Sequence, residues 1–170
     1  MQNEEFGQLA LIALGSNLGD SRGLISRAME ELQKFSTQPL LKSSLWKTTP
    51  VDCPPNSPSF VNAMAGLVPR VRETPESLLQ HLQTLEKEFG RASKKTLNEP
   101  RPLDLDLIAF GSEIRATTGL MLPHPRAHLR RFVLQPLSEI APDLVLPGQT
   151  NTVAQLLAGL RNEEIVIRAD

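Results

Sequence analysis

The order of hydrophobic patterns along the chain predicts an α+β fold, a ferredoxin-like split β-α-β sheet with helices packed on it and C-terminal additions. Apolar runs of strand length alternate with helical stripes in the order strand, helix, strand, strand, helix, strand. The 170 residues, 40% of them apolar, suit one domain with a substantial core. We therefore expect residues 1–8 to form a flexible tail and residues 9–170 a single domain.

The first strand is predicted at residues 9–14, a continuous apolar run that ends in a glycine-containing turn. Asp20 or Ser21 can cap a helix whose apolar positions recur at helical spacing through residues 24–35. The helix is predicted to end at Gln38-Pro39, and residues 41–49 then suit a second strand.

A third strand is predicted at residues 60–68. The preceding segment, residues 50–58, contains four prolines, which predicts an irregular and fairly stiff loop. Thr74 is a good cap for a second helix with Pro75 at its first position, and Gly90 stands where a helix-ending glycine belongs.

The last predicted strand covers residues 103–110, after a polar segment at 91–100 that we expect to be mobile. Two helices are then predicted, one around residues 132–140 and a small one from about residue 152. No internal repeat and no interdomain linker is recognisable in the sequence.

Charge and composition exclude several classes of protein. The formal net charge of −1 removes any general argument for nucleic-acid binding. The N-terminus resembles no signal peptide, and no apolar run approaches the ~20 residues that span a bilayer. Cys53 is the single cysteine, which excludes an intramolecular disulfide and a cysteine-based metal cluster. We expect a soluble protein of the reducing cytoplasm.

Two aspartates, Asp104 and Asp106, lie two positions apart in the predicted strand at 103–110. Side chains alternate between strand faces, so both carboxylates share one face, about 6.6 Å apart at Cα. They could hold one hard cation, or two cations bridged by a phosphate, and magnesium favours this combination of carboxylates and substrate phosphates. The alternative is a solvated strand face that carries aspartate twice, although aspartate is a poor strand residue.

A basic segment, residues 124–131, holds three arginines and two histidines. Arginine binds phosphate oxygens through two parallel hydrogen bonds, so the segment could bind ATP, although taken alone a solvated basic turn is the better interpretation. His124, between Pro123 and Pro125, has a restrained backbone that suits a fixed donor to a phosphate. Neither a P-loop nor a Rossmann glycine motif is present, which disfavours those mechanisms.

Three segments together resemble the 6-hydroxymethyl-7,8-dihydropterin pyrophosphokinases of the folate pathway. They are LGSNLG at 14–19, RPLDLD at 101–106, and LPHP at 122–125 followed by RFVLQPL at 131–137. The resemblance extends from residue 9 to residue 147. It implies an ATP-dependent diphosphokinase that transfers pyrophosphate to 6-hydroxymethyl-7,8-dihydropterin and releases AMP. We expect only these small-molecule substrates, no nucleic-acid or membrane partner, and a monomer.

The resemblance also implies roles for individual residues. Asp104 and Asp106 match the ligands of two Mg²⁺ ions, and Arg101 and His124 complete the residues expected to act in catalysis. Positions that surround the co-substrate ATP are matched by Gln83, Glu86, Arg91, Arg101, Leu107, His124, Pro125 and Arg130. Positions that surround the pterin are matched by Gly15, Thr48, Thr49, Pro50, Val51, Phe60, Asn62 and Phe132. The two phenylalanines replace rings that sandwich the pterin, although each alone would be assigned to core packing.

The segment 91–100 departs from the family pattern. Well-known members carry a second arginine near its start and a tryptophan near its end, where this chain has Ser93 and Asn98. Lys94 and Lys95 could supply the charge, but lysine offers no bidentate fork. We expect this loop to be flexible in the free protein and to order only when nucleotide and pterin are both bound, so its departures bear on closure and thereby on the turnover rate.

Two other functions remain open at this point. A non-catalytic descendant of the family would bind nucleotide or pterin without releasing AMP. An RNA-binding module is the second alternative, because ferredoxin-like sheets often bind RNA through exposed aromatic residues and a basic face. The chain has one tryptophan, six phenylalanines and no tyrosine, which disfavours the RNA-binding alternative.

Overall fold

The computed structural model describes residues 8–48, 56, 58–90, 102–161 and 164–169. The strands in this part of the chain are β1 (Ala10–Ser16), β2 (Leu41–Lys42), β3 (Trp46–Thr48), β4 (Phe60–Leu67), β5 (Asp104–Phe110), β6 (Arg115–Ala116), β7 (Met121–Leu122) and β8 (Val166–Arg168). The helices are α1 (Ser21–Gln33), α2 (Pro75–Glu88), α3 (Arg131–Ile140) and α4 (Val153–Gly159), with a 3-10 helix at Ala127–Leu129.

The main sheet has the strand order β5-β1-β4-β3-β8, with β2 also paired to β4, and every pairing is antiparallel. Helix α1 connects β1 to the next strands, and α2 connects β4 to β5. This is the split β-α-β order, so the predicted fold class is confirmed. Strand β8 is a C-terminal addition beside β3, and β6 and β7 form a separate hairpin.

Local sequence signals account for the start of both helices on the first face of the sheet. The Asp20 carboxylate accepts a hydrogen bond from the Gly23 amide (3.2 Å), which caps α1. Thr74 and Ser77 form a reciprocal capping box at the start of α2, whose first residue is Pro75. Their apolar stripes pack against alternate residues of β1, β4 and β5 in one core cluster.

The second face of the sheet has its own core cluster among the described residues. Leu11, Met64 and Ile108 form a second core cluster there with Val133 and Leu137 of α3. The part of this face next to the first turn of α3 carries polar residues instead, and these positions form the candidate site described below. Among the described residues, no helix combines the length and apolar character needed to span a lipid bilayer.

The single strand predicted at 41–49 is interrupted between β2 and β3. There the Ser43 hydroxyl accepts a hydrogen bond from the Met64 amide (2.8 Å), and the Ser44 amide donates to the carboxylate of Glu139 (3.2 Å). Side chains therefore satisfy main-chain groups that a continuous strand would pair in the ladder.

Candidate active site

The second face of the sheet carries a row of directly opposed residues that crosses four strands and includes three predicted site residues. The register places Asp104 of β5 opposite Gly15 of β1, Gly15 opposite Asn62 of β4, and Asn62 opposite Trp46 of β3. Directly opposed residues point to the same face, and neighbouring strands lie about 4.8 Å apart. Asp104 and Asn62 are therefore about 10 Å apart across the sheet, with only the glycine between them.

The two aspartates of β5 have the alternation that the sequence predicts. Asp104 and Asp106 are half-buried on the second face, while Leu105 and Leu107, each 4% exposed, pack in the cluster of the first face. No group of three or more metal-binding side chains is found in the part of the chain that the structure describes. The described residues would therefore give a cation at this position at most two carboxylate ligands. Magnesium sites whose coordination is completed by phosphate and water usually have this arrangement.

His124 is tied to β5 and to its own turn. Its amide donates to the Ile108 carbonyl (2.8 Å), and its Nδ1 accepts from the Arg126 amide (3.2 Å). Burial lowers the pKa of His124 below its ordinary value, the positive charges of Arg130 and Arg126 lower it further, and Asp104 opposes them. The hydrogen-bond network assigns the remaining proton to Nε2, so His124 at neutral pH is an uncharged donor through that atom.

The first turn of α3 holds an arginine and an aromatic ring together. The Arg130 guanidinium carbon lies 5.4 Å from the centre of the Phe132 ring, a cation–π distance. The Glu164 carboxylate accepts hydrogen bonds from the amides of Arg131 (3.0 Å) and Phe132 (3.2 Å). Nothing in the sequence pattern indicated Glu164, because its partners are main-chain groups more than thirty residues away.

A buried polar pair lies beside Gly15. The Thr48 hydroxyl donates to Oδ1 of Asn62 at 2.6 Å, and the two residues are 3% and 8% exposed. A Cβ added to Gly15 would be 3.1 Å from Nδ2 of Asn62 and 3.7 Å from Cδ1 of Phe60. Within the described residues, no acceptor is paired with that amide nitrogen, which leaves its NH₂ group available as a donor beside the phenylalanine ring.

The remaining predicted ATP contacts differ in their surroundings. The Glu86 carboxylate, 9% exposed, accepts a hydrogen bond from the Leu105 amide (3.0 Å) and so ties α2 to β5. Gln83 is exposed one turn earlier on α2, and Pro125 is exposed beside His124. Because the Leu107 side chain is in the core, only its main chain is positioned for contact with a ligand.

Five predicted site residues and one predicted loop lie outside the described residues. They are Thr49, Pro50, Val51, Arg91 and Arg101, and the segment 91–100 with its departures at Ser93 and Asn98. A groove of about 620 Å³ between α1 and the end of α2 has charged walls of both signs, including Arg27, Glu30 and Glu88. None of the predicted site residues that the structure describes lines that groove, so it is not the site that these residues form.

The sequence matches the family model of the 7,8-dihydro-6-hydroxymethylpterin-pyrophosphokinases (HPPK) over residues 11–142. The chain belongs to this family. HPPK enzymes of two bacteria are among its relatives. The Haemophilus influenzae enzyme is 40% identical over 140 residues, covering 82% of this chain and 85% of that protein. The Pseudomonas aeruginosa enzyme is 38% identical over 159 residues, covering 93% of this chain and 95% of that protein.

Solved structures of the HPPK family share the fold. An HPPK-DHPS structure in complex with substrates superposes with a TM-score of 0.71 at 12% identity, over 88% of this chain and 42% of that chain. Wild-type Plasmodium falciparum HPPK-DHPS with pteroate gives a TM-score of 0.68 at 14% identity, over 88% of this chain and 44% of that chain. This chain thus spans less than half of those solved chains.

Membership of the HPPK family identifies the reaction. The chain is a diphosphokinase that transfers a pyrophosphoryl group from ATP to hydroxymethyldihydropterin in folate biosynthesis. Its substrates are two small molecules, ATP and the pterin. The family resemblance drawn from the three sequence segments is thereby confirmed, and the enzyme interpretation is preferred to the RNA-binding alternative.

Proposed function

We propose that the polar row on the second sheet face and the first turn of α3 together form the active site of this HPPK. The observation that carries the proposal is the register that aligns Asp104, Gly15 and Asn62 across three adjacent strands. Electrostatic coupling of His124 to both Asp104 and Arg130 supports a single cluster at one end of that row. The phosphates of ATP would bind at this end and the pterin at the Asn62 end.

The residues at the phosphate end fit Mg²⁺ as the metal of the reaction. Asp104 and Asp106 offer two half-buried carboxylates on one strand face, which suits the oxygen ligands and open coordination of magnesium. We propose that they hold two Mg²⁺ ions together with the triphosphate. Bound there, the ions would neutralise charge on the bridging phosphate oxygens.

The proposed reaction is a direct displacement at the β-phosphorus of ATP. The hydroxymethyl oxygen of the pterin forms the new P–O bond and releases its proton to water, and the bond from the β-phosphorus to the α,β-bridging oxygen breaks to release AMP. His124 donates its Nε2–H and Arg130 its guanidinium hydrogens to phosphate oxygens as charge develops on them. No side chain is assigned as a general base, and no covalent intermediate is required.

The pterin end supplies recognition and alignment. The Asn62 amide nitrogen can donate to the edge of the heterocycle, because Thr48 fixes the orientation of the amide through its oxygen. Phe60 and Phe132 would lie on the two faces of the ring, where offset stacking adds to the energy of burial. Holding the hydroxymethyl group in line with the β-phosphorus converts a bimolecular reaction into an effectively unimolecular one.

The product formed tests this function directly. The protein mixed with Mg·ATP and 6-hydroxymethyl-7,8-dihydropterin should release AMP in an amount equal to the pterin diphosphate formed, as measured by chromatography. Omitting the pterin should suppress AMP formation. Release of ADP instead of AMP would disprove pyrophosphoryl transfer, and binding of both substrates without AMP would favour the non-catalytic alternative.

We expect Gly15→Ala to weaken pterin binding by about tenfold, the lower end of the cost of overpacking. The added methyl group would lie 3.1 Å from the Asn62 amide nitrogen, so the amide must move by a few tenths of an ångström, whereas the Phe60 ring, at 3.7 Å, would be at an ordinary contact distance. Gly66→Ala is the matched control on the same sheet, because its Cβ would contact Leu41 at an ordinary 3.4 Å. Fluorescence titration with pterin should separate the variants, and equal affinities would show that the space beside Gly15 is not used.

We also propose that the enzyme acts as a monomer, because the strand register that aligns Asp104, Gly15 and Asn62 is formed within a single sheet of one chain. The molar mass in solution, measured by light scattering, should then be close to the 18.8 kDa of one chain.

A further inference from the structure

The N-terminus of α3 is capped by a residue from outside the helix. Four amide groups at a helix start have no partner within the helix. In α3 these are the amides of Arg130, Arg131, Phe132 and Val133. The Arg130 amide donates to the Ala127 carbonyl (3.4 Å), the Val133 amide to the Arg130 carbonyl (3.1 Å), and the Arg130 side chain provides no cap. The other two, those of Arg131 and Phe132, donate to the two carboxylate oxygens of Glu164. All four groups are therefore satisfied, two of them by one distant side chain.

The segment that carries Glu164 is fixed to the opposite side of the proposed site. It leads directly into β8, whose Val166 pairs with Thr48 of β3. The Arg168 guanidinium carbon lies 5.7 Å from the centre of the Trp46 ring, which adds a cation–π contact between the same two strands. The C-terminal segment therefore connects the strand that carries Thr48 to the helix turn that carries Phe132.

Glu164 is held in a fixed position rather than solvated. The side chain is half-buried, and burial raises the pKa of Glu164 above its ordinary value; the hydrogen bonds from Arg131 and Phe132 and the charges of Arg131 and Arg130 offset that rise only in part. A helix N-terminus attracts anions, and in this enzyme a carboxylate occupies it next to the proposed phosphate site. The triphosphate would accordingly be bound by side chains such as Arg130 and not by the amides of α3.

We propose that Glu164 is a positioning residue for pyrophosphoryl transfer. By holding both amides of the first turn, it fixes the direction of the Phe132 ring toward the pterin and of the Arg130 guanidinium toward the phosphates. Glu164 itself contacts neither substrate. This inference rests on the roles proposed above for Phe132 and Arg130.

A cap that only stabilises the helix makes a different prediction from a positioning residue. Thr74→Ala removes the side-chain cap of α2, twelve residues and about 18 Å of helix before Glu86, and so supplies a matched loss of capping away from the site. If Glu164 only stabilises α3, then Glu164→Ala and Thr74→Ala should both lower the melting temperature, and both should leave substrate affinity unchanged. If Glu164 positions the site, only Glu164→Ala should change affinity.

The experiment compares Glu164→Ala, Glu164→Gln, Thr74→Ala and Phe132→Ala in the intact protein. Pterin affinity is measured by fluorescence titration, KM for ATP by initial rates of AMP formation, and stability by thermal unfolding. We expect Glu164→Ala to raise both the pterin Kd and the KM for ATP on the order of tenfold, while Thr74→Ala stays within about twofold of wild type. Glu164→Gln should be intermediate, because its amide oxygen accepts one of the two hydrogen bonds and its NH₂ group opposes the other.

The outcomes separate this inference from the proposed site. If Phe132→Ala weakens pterin binding but both Glu164 variants bind as wild type does, the positioning role of Glu164 is wrong and the site assignment stands. If Phe132→Ala also binds as wild type, the proposed site itself is wrong. Should Glu164→Ala fail to fold, Glu164→Gln decides alone: the amide NMR signals of Arg131 and Phe132 should shift in it, and unchanged signals with unchanged affinity would overturn the proposal.

Discussion

Replacing Asp104 or Asp106 with asparagine is expected to reduce the rate of AMP formation at least about 100-fold, because each change removes electrostatic stabilisation of the transferring phosphates. Asparagine keeps the size of the side chain and removes its charge. The exposed Asp143, in the turn after α3, provides the control, and Asp143→Asn should keep the wild-type rate. Initial rates at saturating ATP and pterin, with magnesium in excess, measure the effect.

The stability of the same variants tests the metal assignment independently of activity. Two carboxylates on one strand face repel each other without a cation, and replacing either one with asparagine relieves that repulsion. If the proposed site binds magnesium in the folded protein only, magnesium should raise the melting temperature of wild type and of Asp143→Asn. The same addition should leave Asp104→Asn nearly unchanged. Near-normal turnover in either Asp104→Asn or Asp106→Asn would show that the metal assignment is wrong.

Local sequence patterns predicted the elements that depend on local physics. Strand β1, the caps Asp20 and Thr74, and the alternation of Asp104 with Leu105 all follow from side-chain periodicity and hydrogen-bonding capacity near in sequence. The split β-α-β order followed from the sequence of these elements. The boundaries were less accurate, and the strand predicted at 41–49 proved to be β2 and β3.

These local patterns could not predict contacts between residues far apart in the sequence. Strand β8 is three residues long, and its pairing with β3 depends on the edge that the rest of the fold leaves exposed. The Glu164 cap and the Glu139 hydrogen bonds to Ser44 and Trp46 join a side chain to groups far away in sequence. Such partners have no periodicity, so only the folded chain reveals them.

In the candidate site, too, the sequence predicted local relationships but not contacts between strands. Sequence spacing placed Asp104 and Asp106 on one face, but no spacing rule joins Asp104 to Gly15 and Asn62, which lie on other strands. The family resemblance alone selects these residues, without information about the strand register. The register then supplies a physical reason for the glycine, since a side chain at position 15 would press on the Asn62 amide.

Arg130→Lys is the second substitution with a large expected effect, a fall in kcat/KM for ATP of about 10- to 100-fold. Lysine keeps the positive charge but cannot form the two parallel hydrogen bonds of a guanidinium group. Arg126→Lys is the matched control. Arg126 and Arg130 both lower the pKa of His124, so both charges lie near it, but Arg126 is exposed and Arg130 is half-buried. Initial rates of AMP formation at varied ATP should show little change in Arg126→Lys.

Arg130 should also link the two halves of the site, and separate measurement of the pterin affinity tests that link. Its guanidinium carbon lies 5.4 Å from the centre of the Phe132 ring, so a bound pterin stacked on that ring would be sensitive to the loss of a planar cation. We therefore expect Arg130→Lys to raise the pterin Kd severalfold, less than its effect on ATP. If Arg126→Lys instead loses as much activity as Arg130→Lys, the segment 124–131 supplies only diffuse charge, as a solvated basic turn would.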